Sequence, residues 1–509
     1  MKVTTLPLGI FPLLLLILNV SSCSSPGVKQ FVTTTFDAPW QVQDPLSLSP
    51  GEETEVESLS ILSPVEGSVI EGFGTCFNEL GWTSLSLLSE QDREEILSEL
   101  FTPGKGANLT MGRMPIASND FSLDYYSYDD VEGDFGLEKF SISHDEGTLI
   151  PFIKAALSFN PSIRLWASPW CPPSWMKVSK HYAGASTRPL LRRYEEMKGK
   201  LSTMSEEERE VARRSFGMNM EDLPDNGLDE DRQIPEGVDA FIQEERHLQT
   251  YAKYFGKFID AYKEMGIDIF MVMPQNEPNS AQFFPSCTWT PEGLASFIKV
   301  LGPEMKERGV EVYLGTMERG DPQMWKKILD DPEASKYISG MGFQWAGKDA
   351  LPALHRDYPS LPCYETEQEC GNGLNDWAGA EHSWDLMKHY LGNGVQAYFY
   401  WNTSLLERGV STWGWCQNSL VVVDKDTRTY RWTPEYYILK HASHFVRKGA
   451  ALLGTEGYCD VLAFRNPGGE TVLLLGNGQD AARSVSVKLE GKNFVFPLKA
   501  RSLSTIVIR

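Results

Sequence analysis

Glu277 and Glu367 stand where this sequence could do chemistry. Glu277 lies in Met273-Pro-Gln-Asn-Glu-Pro278, and Glu367 lies in Tyr364-Glu-Thr-Glu-Gln-Glu-Cys-Gly371. Each closes a short apolar or aromatic run, where a strand would stop and a loop begin. Two carboxyl groups at strand ends, among tryptophans, suit cleavage of a glycosidic bond with retention. One protonates the leaving oxygen while the other attacks the anomeric carbon.

Each candidate also has a plainer reading. An Asn beside a catalytic acid, here Asn276, can hydrogen-bond a sugar 2-hydroxyl. Asn276, Pro278 and Asn279 also favour an ordinary turn. Glu365, Glu367 and Glu369 alternate, so a regular strand would place all three on one face. Three inward carboxylates would suit a cation, but the eight His are scattered and no Asp or His cluster joins them. Glu367 alone is therefore expected to react. Glu365 should lie one step deeper, with Arg113 as its cationic partner, and Glu369 past the strand end. An unpaired Glu365 would raise the pKa of Glu367 and spoil it as a nucleophile.

Aromatic residues surround these positions. Trp166-Ala-Ser-Pro-Trp-Cys-Pro-Pro-Ser-Trp-Met-Lys177 reads as a strand running into a Pro-rich loop. Trp170 is expected to be a sugar platform and Trp175 to pack in the core. Asp120, at the end of the run from Arg113, suits sugar hydroxyls or a helix cap. Trp401 either floors the pocket or closes the structure behind it.

The elements that must hold these residues recur along the chain. Strands are expected at Glu71–Phe77, Thr110–Pro115, Ile163–Pro169 and Ile267–Met273, then at Val310–Gly315, Gly340–Trp345, Pro362–Glu367 and Gln396–Trp401. Leu248, Tyr251, Phe255, Phe258 and Tyr262 mark an amphipathic helix within His247–Met265, and Leu294, Ile298 and Leu301 mark another. Eight strands with intervening helices imply an α/β fold, a (β/α)8 TIM barrel, whose active site lies at the C-terminal ends of the strands. Glu277 and Glu367 fall at the ends of the fourth and seventh. From about His444 the texture is β-rich, with turns at Asn466–Gly469 and Asn477-Gly478, which reads as a small β-sandwich. Residues 1–23 read as a signal peptide, 24–68 as a linker and N-terminal strands of the sandwich, 69–443 as the barrel and 444–509 as the C-terminal sandwich. The charged stretch 183–236 follows the third strand. It is either a solvated surface excursion or a lid over the cleft.

Composition narrows the class. A net charge of −22, from 69 acidic and 47 basic residues, argues against nucleic acid as a partner. The 14 Trp suit stacking on sugar rings. An apolar run from Ile10 to Leu18 is too short to span a bilayer and reads as a secretory signal. Val20-Ser-Ser-Cys23 resembles a bacterial lipobox, which would make Cys23 a lipidated residue. That places the protein in the periplasm or outer membrane as an exported lipoprotein, touching membrane only through this anchor. Seven further Cys, with no C-x-x-C, do not suggest a disulfide framework.

Taken together, Gly72–Glu79, Arg113–Ser122, Ala167–Lys177, Asn276-Glu277-Pro278, Thr366-Glu367, Tyr400-Trp401-Asn402 and Val421–Asp424 resemble glycoside hydrolase family 30. The resemblance spans roughly residues 65 to 509. It implies a barrel with an attached sandwich and a retaining β-glycoside hydrolase with a carbohydrate or glycolipid substrate and no cofactor. By motif position it implies Glu277 as acid/base and Glu367 as nucleophile. It also implies substrate contacts at Asp120, Trp170, Asn276 and Trp401, with Gln344 where glucosylceramidase has a His. Arg113 and Glu365 would support them. A glucosylceramidase, a β-glucosidase and a β-1,6-glucanase are all compatible, and a non-catalytic glycan-binding lipoprotein is the rival reading.

Overall fold

The computed structural model describes residues 27–43, 56–201, 203–205, 218–220 and 223–509. The expected signal peptide, residues 1–23, and with it Cys23, lies outside the described residues.

Eight parallel strands close into a barrel. They are β1 (Gly72–Cys76), β2 (Met111–Pro115), β3 (Arg164–Ser168) and β4 (Ile269–Val272), then β5 (Glu311–Met317), β6 (Ile338–Gln344), β7 (Cys363–Glu367) and β8 (Ala397–Asn402). Most of their residues are buried, as expected of strands covered by helices outside and side chains within. The interior is filled, not hollow. Trp166 of β3 meets Phe399 of β8 edge-on at 5.4 Å. A Cβ at Gly74 would come within 2.6 Å of that Phe399 ring, so glycine is what lets β1 pass.

The helices form for local reasons. Glu245–Glu264 turns Leu248, Tyr251, Phe255, Phe258 and Tyr262 inward as one stripe. Pro291–Glu307 starts on Thr290, whose hydroxyl accepts the Gly293 N–H at 2.9 Å, with Pro291 at the first helical position.

The second layer is a nine-stranded sheet. Six strands lie between Ala451 and Ile508. Val28–Thr34, Gln41–Val42 and Glu57–Val69 complete it. The sheet folds over on itself. Phe31 and Phe496 stand seven places apart in strand order, yet their rings meet at 5.9 Å. Strands Ala451–Gly457 and Lys492–Leu498 of this sheet have no counterpart in the sequence-based expectation. His441 joins sheet and barrel by bonding Thr34 and Thr505, both at 2.8 Å.

The stretch 183–236 is not devoid of regular structure. Arg188–Leu201 is a helix, with Leu190, Leu191, Tyr194 and Met197 half-buried along one side. That stripe is present in the sequence but is masked by the charges around it. The seven described cysteines are free. All but Cys459 are buried.

Candidate active site

Arg113 rises from β2 with no exposed surface and organises the mouth of the barrel. One terminal nitrogen donates to Glu367 Oε2 at 2.8 Å, to the Thr366 carbonyl at 3.0 Å and to Gln344 Oε1 at 3.4 Å. The other donates to Asn276 Oδ1 at 2.7 Å and Ser168 Oγ at 3.1 Å. Trp170, Trp166 and Trp401 surround the guanidinium, with centroids 4.6, 5.0 and 5.2 Å from its carbon. Aromatic faces favour the cation there without using its hydrogens.

This corrects the expected partnership of Arg113 with Glu365. The terminal nitrogens of Arg113 are committed to five other groups. Glu365 instead accepts the Phe399 N–H at 2.7 Å through one oxygen, and its other oxygen has no partner. Burial pushes its pKa well above its ordinary value, which disfavours a second charge beside Glu367. Glu369 lies past the strand, paired with Lys348 at 2.6 Å and His382 at 3.1 Å. The three alternating glutamates therefore do not converge. Among the described residues no group of three or more His, Cys, Asp or Glu is placed to hold a metal.

Glu367 ends β7. Besides Arg113, it receives the Trp345 indole N–H at 3.0 Å on Oε1. Burial raises its pKa, and Arg113 and then Trp345 oppose the rise. Glu277 lies beyond β4, whose ladder is prolonged by Met273 N to Ala167 O at 2.9 Å and Asn276 N to Pro169 O at 2.7 Å. Burial first, then the charge of Glu367, push the Glu277 carboxyl up to about 7. Of the pair, Glu277 is the natural holder of a proton near neutrality, and Glu367, also raised by burial, is the one whose ionised form Arg113 and Trp345 support.

Asn276 and Gln344 fix this pair. Asn276 Oδ1 accepts from Arg113, from Thr316 Oγ1 at 3.0 Å and from Gln344 Nε2 at 3.2 Å. Those donors orient the amide and leave Nδ2 as its donor. Gln344 Nε2 also donates to Glu277 Oε1 at 3.1 Å, and Gln344 Oε1 accepts from Thr366 Oγ1 at 2.9 Å. Gln344 is fully buried, and both ends of its amide are used within the protein. Glu277, Trp345 and Ala117 have φ of +47°, +47° and +66°. That left-handed conformation costs a non-glycine residue roughly 1–2 kcal/mol, strain of a kind found at functional sites.

A cavity of about 240 Å³ opens above these groups. Asp120, Trp170, Glu277, Trp345 and Glu367 line it, with Ser280, Gln282 and Phe284 from the loop after β4. Glu318 and Arg319 after β5, and Trp415 and Gln417 before Val421–Asp424, complete the wall with Ala346. Asp120 is buried with Oδ1 unpartnered. Burial and the charges of Glu367 and Glu277 raise its pKa well above the usual range. Trp170 stacks on Trp401 at 5.2 Å, and Trp401 lies against Arg113 rather than on the wall. Trp175 packs against Phe135 at 5.3 Å and donates to the Asp129 carbonyl.

Sequence reasoning missed Glu318, Arg319, Trp345, Phe284, Trp415 and Gln417. Glu318 immediately follows β5, so the rule that singled out Glu277 would have found it. Burial and the charge of Glu277 push it up to about 8. Trp345 immediately follows β6 and had the same signal. Trp415 sits in a long connection, and nothing local to it points to the cavity.

Comparison with known proteins agrees with this barrel and sandwich. The model of the Glycosyl hydrolase family 30 TIM-barrel domain matches residues 70–193 and 236–446, and that of the family 30 beta sandwich domain matches 452–506. The lysosomal acid glucosylceramidase of Mus musculus is 26% identical over 80% of this chain and 75% of its own length. The endo-1,6-beta-D-glucanase neg1 of Aspergillus fumigatus is 23% identical over 90% of this chain and 89% of its own. In solved structures, SrfJ from Salmonella typhimurium shares the fold with a TM-score of 0.77 at 22% identity, covering 95% of this chain and 99% of that one. The chain belongs to glycosyl hydrolase family 30 and is a retaining β-glycoside hydrolase.

Proposed function

We propose that this chain hydrolyses a β-linked glucosyl substrate, with Glu367 as nucleophile and Glu277 as acid/base. The observation that carries the assignment is the unequal treatment of the two carboxyls. Arg113 and Trp345 donate to Glu367 and favour its ionised form against burial, while Glu277 lacks a cationic partner in contact among the described residues and burial raises it to about 7.

In the first step a Glu367 oxygen forms a bond to the anomeric carbon. The bond from that carbon to the leaving oxygen breaks, and the Glu277 proton passes to that oxygen. In the second step Glu277, now ionised, takes a proton from water. The water oxygen bonds to the anomeric carbon and Glu367 leaves as a carboxylate. Asn276 Nδ2 donates to the sugar 2-hydroxyl, and Asp120 bonds hydroxyls of the same ring beside Trp170. The names of the two relatives share a glucosyl group, carried on ceramide in one and in a 1,6-linked glucan in the other. That supports glucose as the glycone.

The test is hydrolysis of aryl β-glucoside, aryl β-xyloside, glucosylceramide and β-1,6-glucan by wild type, Glu367→Gln and Glu277→Gln. Glu367→Gln is expected to abolish cleavage. Glu277→Gln should retain more activity on an aryl glucoside whose leaving group needs little protonation. Binding of these glycans with no cleavage by the wild type would overturn the assignment in favour of a glycan-binding protein.

Export and lipidation at Cys23 are a further part of the proposal, supported by the apolar run Ile10–Leu18 and the small residues before Cys23. Cys23→Ser should move the protein from the membrane fraction to the soluble one. Unchanged partition would remove the anchor.

A further inference from the structure

We infer that the described residues of 183–236 brace a leaving-group subsite for a sugar, with Arg319, held by Glu236, as its specificity-determining residue. The inference rests on the assignment of Glu277 as the acid.

An acid that protonates the leaving oxygen stands on the leaving-group side of the scissile bond. The cavity wall nearest Glu277 in sequence and space comes from its own loop and from the end of β5. It presents Gln282, Phe284, Glu318 and Arg319, and Trp415 and Gln417 complete it. That wall mixes hydrogen-bonding side chains with two aromatic faces. A sugar ring has hydroxyls around its edge and C–H groups on its faces, so it meets both. An alkyl chain would need a continuous apolar lining, because a polar wall stripped of water without new partners costs free energy.

Every segment of that wall is tied to 183–236. In the loop after β4, the Gln282 carbonyl accepts the N–H groups of Gly184 and Ala185 at 2.8 and 2.9 Å. Asn226 donates to the Phe283 carbonyl at 2.9 Å. Lys177, fully buried, gives its ammonium to the carbonyls of Tyr182, Ala183 and Ser286 at 2.8, 3.2 and 2.7 Å. It thus fastens the start of the stretch to the same loop. In the segment of Trp415, Met218 bridges to Trp415 and Asn219 N–H reaches the Gly414 carbonyl at 2.7 Å. At β5, Glu236 Oε1 accepts from Arg319 at 2.5 Å. The family barrel match stops at 193 and resumes at 236, so Met218, Asn219 and Asn226 brace the wall from outside the matched residues, while Gly184, Ala185 and Glu236 lie within them.

Arg319 is where this bracing reaches the cavity as charge. Its side chain is long and about a third exposed, with many conformations open to it. Glu236 selects the one that lines the cavity. Glu236 does not itself line the cavity, which makes it a positioning residue and the place to test the idea.

The experiment measures kcat and KM of the full chain and of Glu236→Gln on two kinds of substrate. One is an aryl β-glucoside. The other is the set of 1,3-, 1,4- and 1,6-linked β-glucose disaccharides. The wild type is expected to cleave at least one disaccharide. Glu236→Gln should lower kcat/KM on it about three- to tenfold, mainly through KM, and change the aryl glucoside less than about twofold, as suits one partly exposed ion pair. Glu236→Asp should recover part of the loss. Equal changes on both substrates, or a wild type that cleaves the aryl glucoside but no disaccharide, would overturn the subsite alone. Cleavage of neither substrate would overturn the hydrolase assignment beneath it as well.

Discussion

Gln344 Nε2 donates to Glu277 Oε1 across 3.1 Å, deep enough that no part of Gln344 meets solvent. The oxygen of the same amide accepts from Thr366 and, at 3.4 Å, from the Arg113 nitrogen that holds Glu367. A single neutral side chain thus joins the proposed acid to the frame of the proposed nucleophile. It can do so because glutamine offers a donor and an acceptor two bonds apart.

Replacing Gln344 with Leu should therefore act on both carboxyls. The donated hydrogen bond favours ionised Glu277 and lowers its pKa, so its loss raises the pKa. An acid works while protonated, and activity falls as pH rises through its pKa. The alkaline limb of kcat/KM should accordingly move to higher pH. Thr366 and Asn276 would also lose a partner, and kcat should fall roughly 10- to 100-fold as the geometry loosens. A pH profile with the alkaline limb unmoved would show that Gln344 does not set the ionisation of Glu277.

Arg113 tests the other carboxyl. It lowers the pKa of Glu367, and a nucleophile must be ionised. Arg113→Met should move the acid limb of kcat/KM to higher pH. It should also destabilise the fold by about 3–5 kcal/mol, since one member of a buried ion pair is left alone. Arg113→Lys keeps the charge but cannot reach five acceptors with a planar fork. It should recover stability more than rate. The check is thermal unfolding beside the pH profile of each variant. Equal rates for wild type and Arg113→Lys would mean that only the charge matters.

The barrel was legible because it is periodic. The expected strand Pro362–Glu367 and the observed β7 both end on Glu367, and the helix expected within His247–Met265 spans Glu245–Glu264. The Arg113 error had a different origin. Alternation tells which face of a strand a side chain takes, but not which strand stands opposite or how high the partner reaches. Gln344, Thr316 and Arg113 come from three strands and meet at Asn276. No local spacing encodes that meeting. The same limit hid Trp415 and Glu236, which reach the site through loop packing.

Glu277 should also make the protein less stable than it could be, in a pH-dependent way. Its carboxyl is raised to about 7 in the folded chain, from an ordinary value of 4.5. Between those values the unfolded chain has lost the proton and the folded chain keeps it. The folded state then binds more protons than the unfolded one, so stability falls as pH rises through this window. Above about 7 the folded chain carries a buried charge and the whole loss is present. Glu277→Gln removes the titration while keeping size and hydrogen bonding. Its Tm should match wild type near pH 4 and exceed it increasingly from pH 5 to pH 7, then hold a constant advantage at pH 8. Thermal unfolding of the two proteins across that range measures it directly. A Tm difference that stays flat with pH would mean that Glu277 titrates at an ordinary value, and the acid would have to be sought elsewhere. Glu318, pushed up to about 8 beside it, would be the next carboxyl to test.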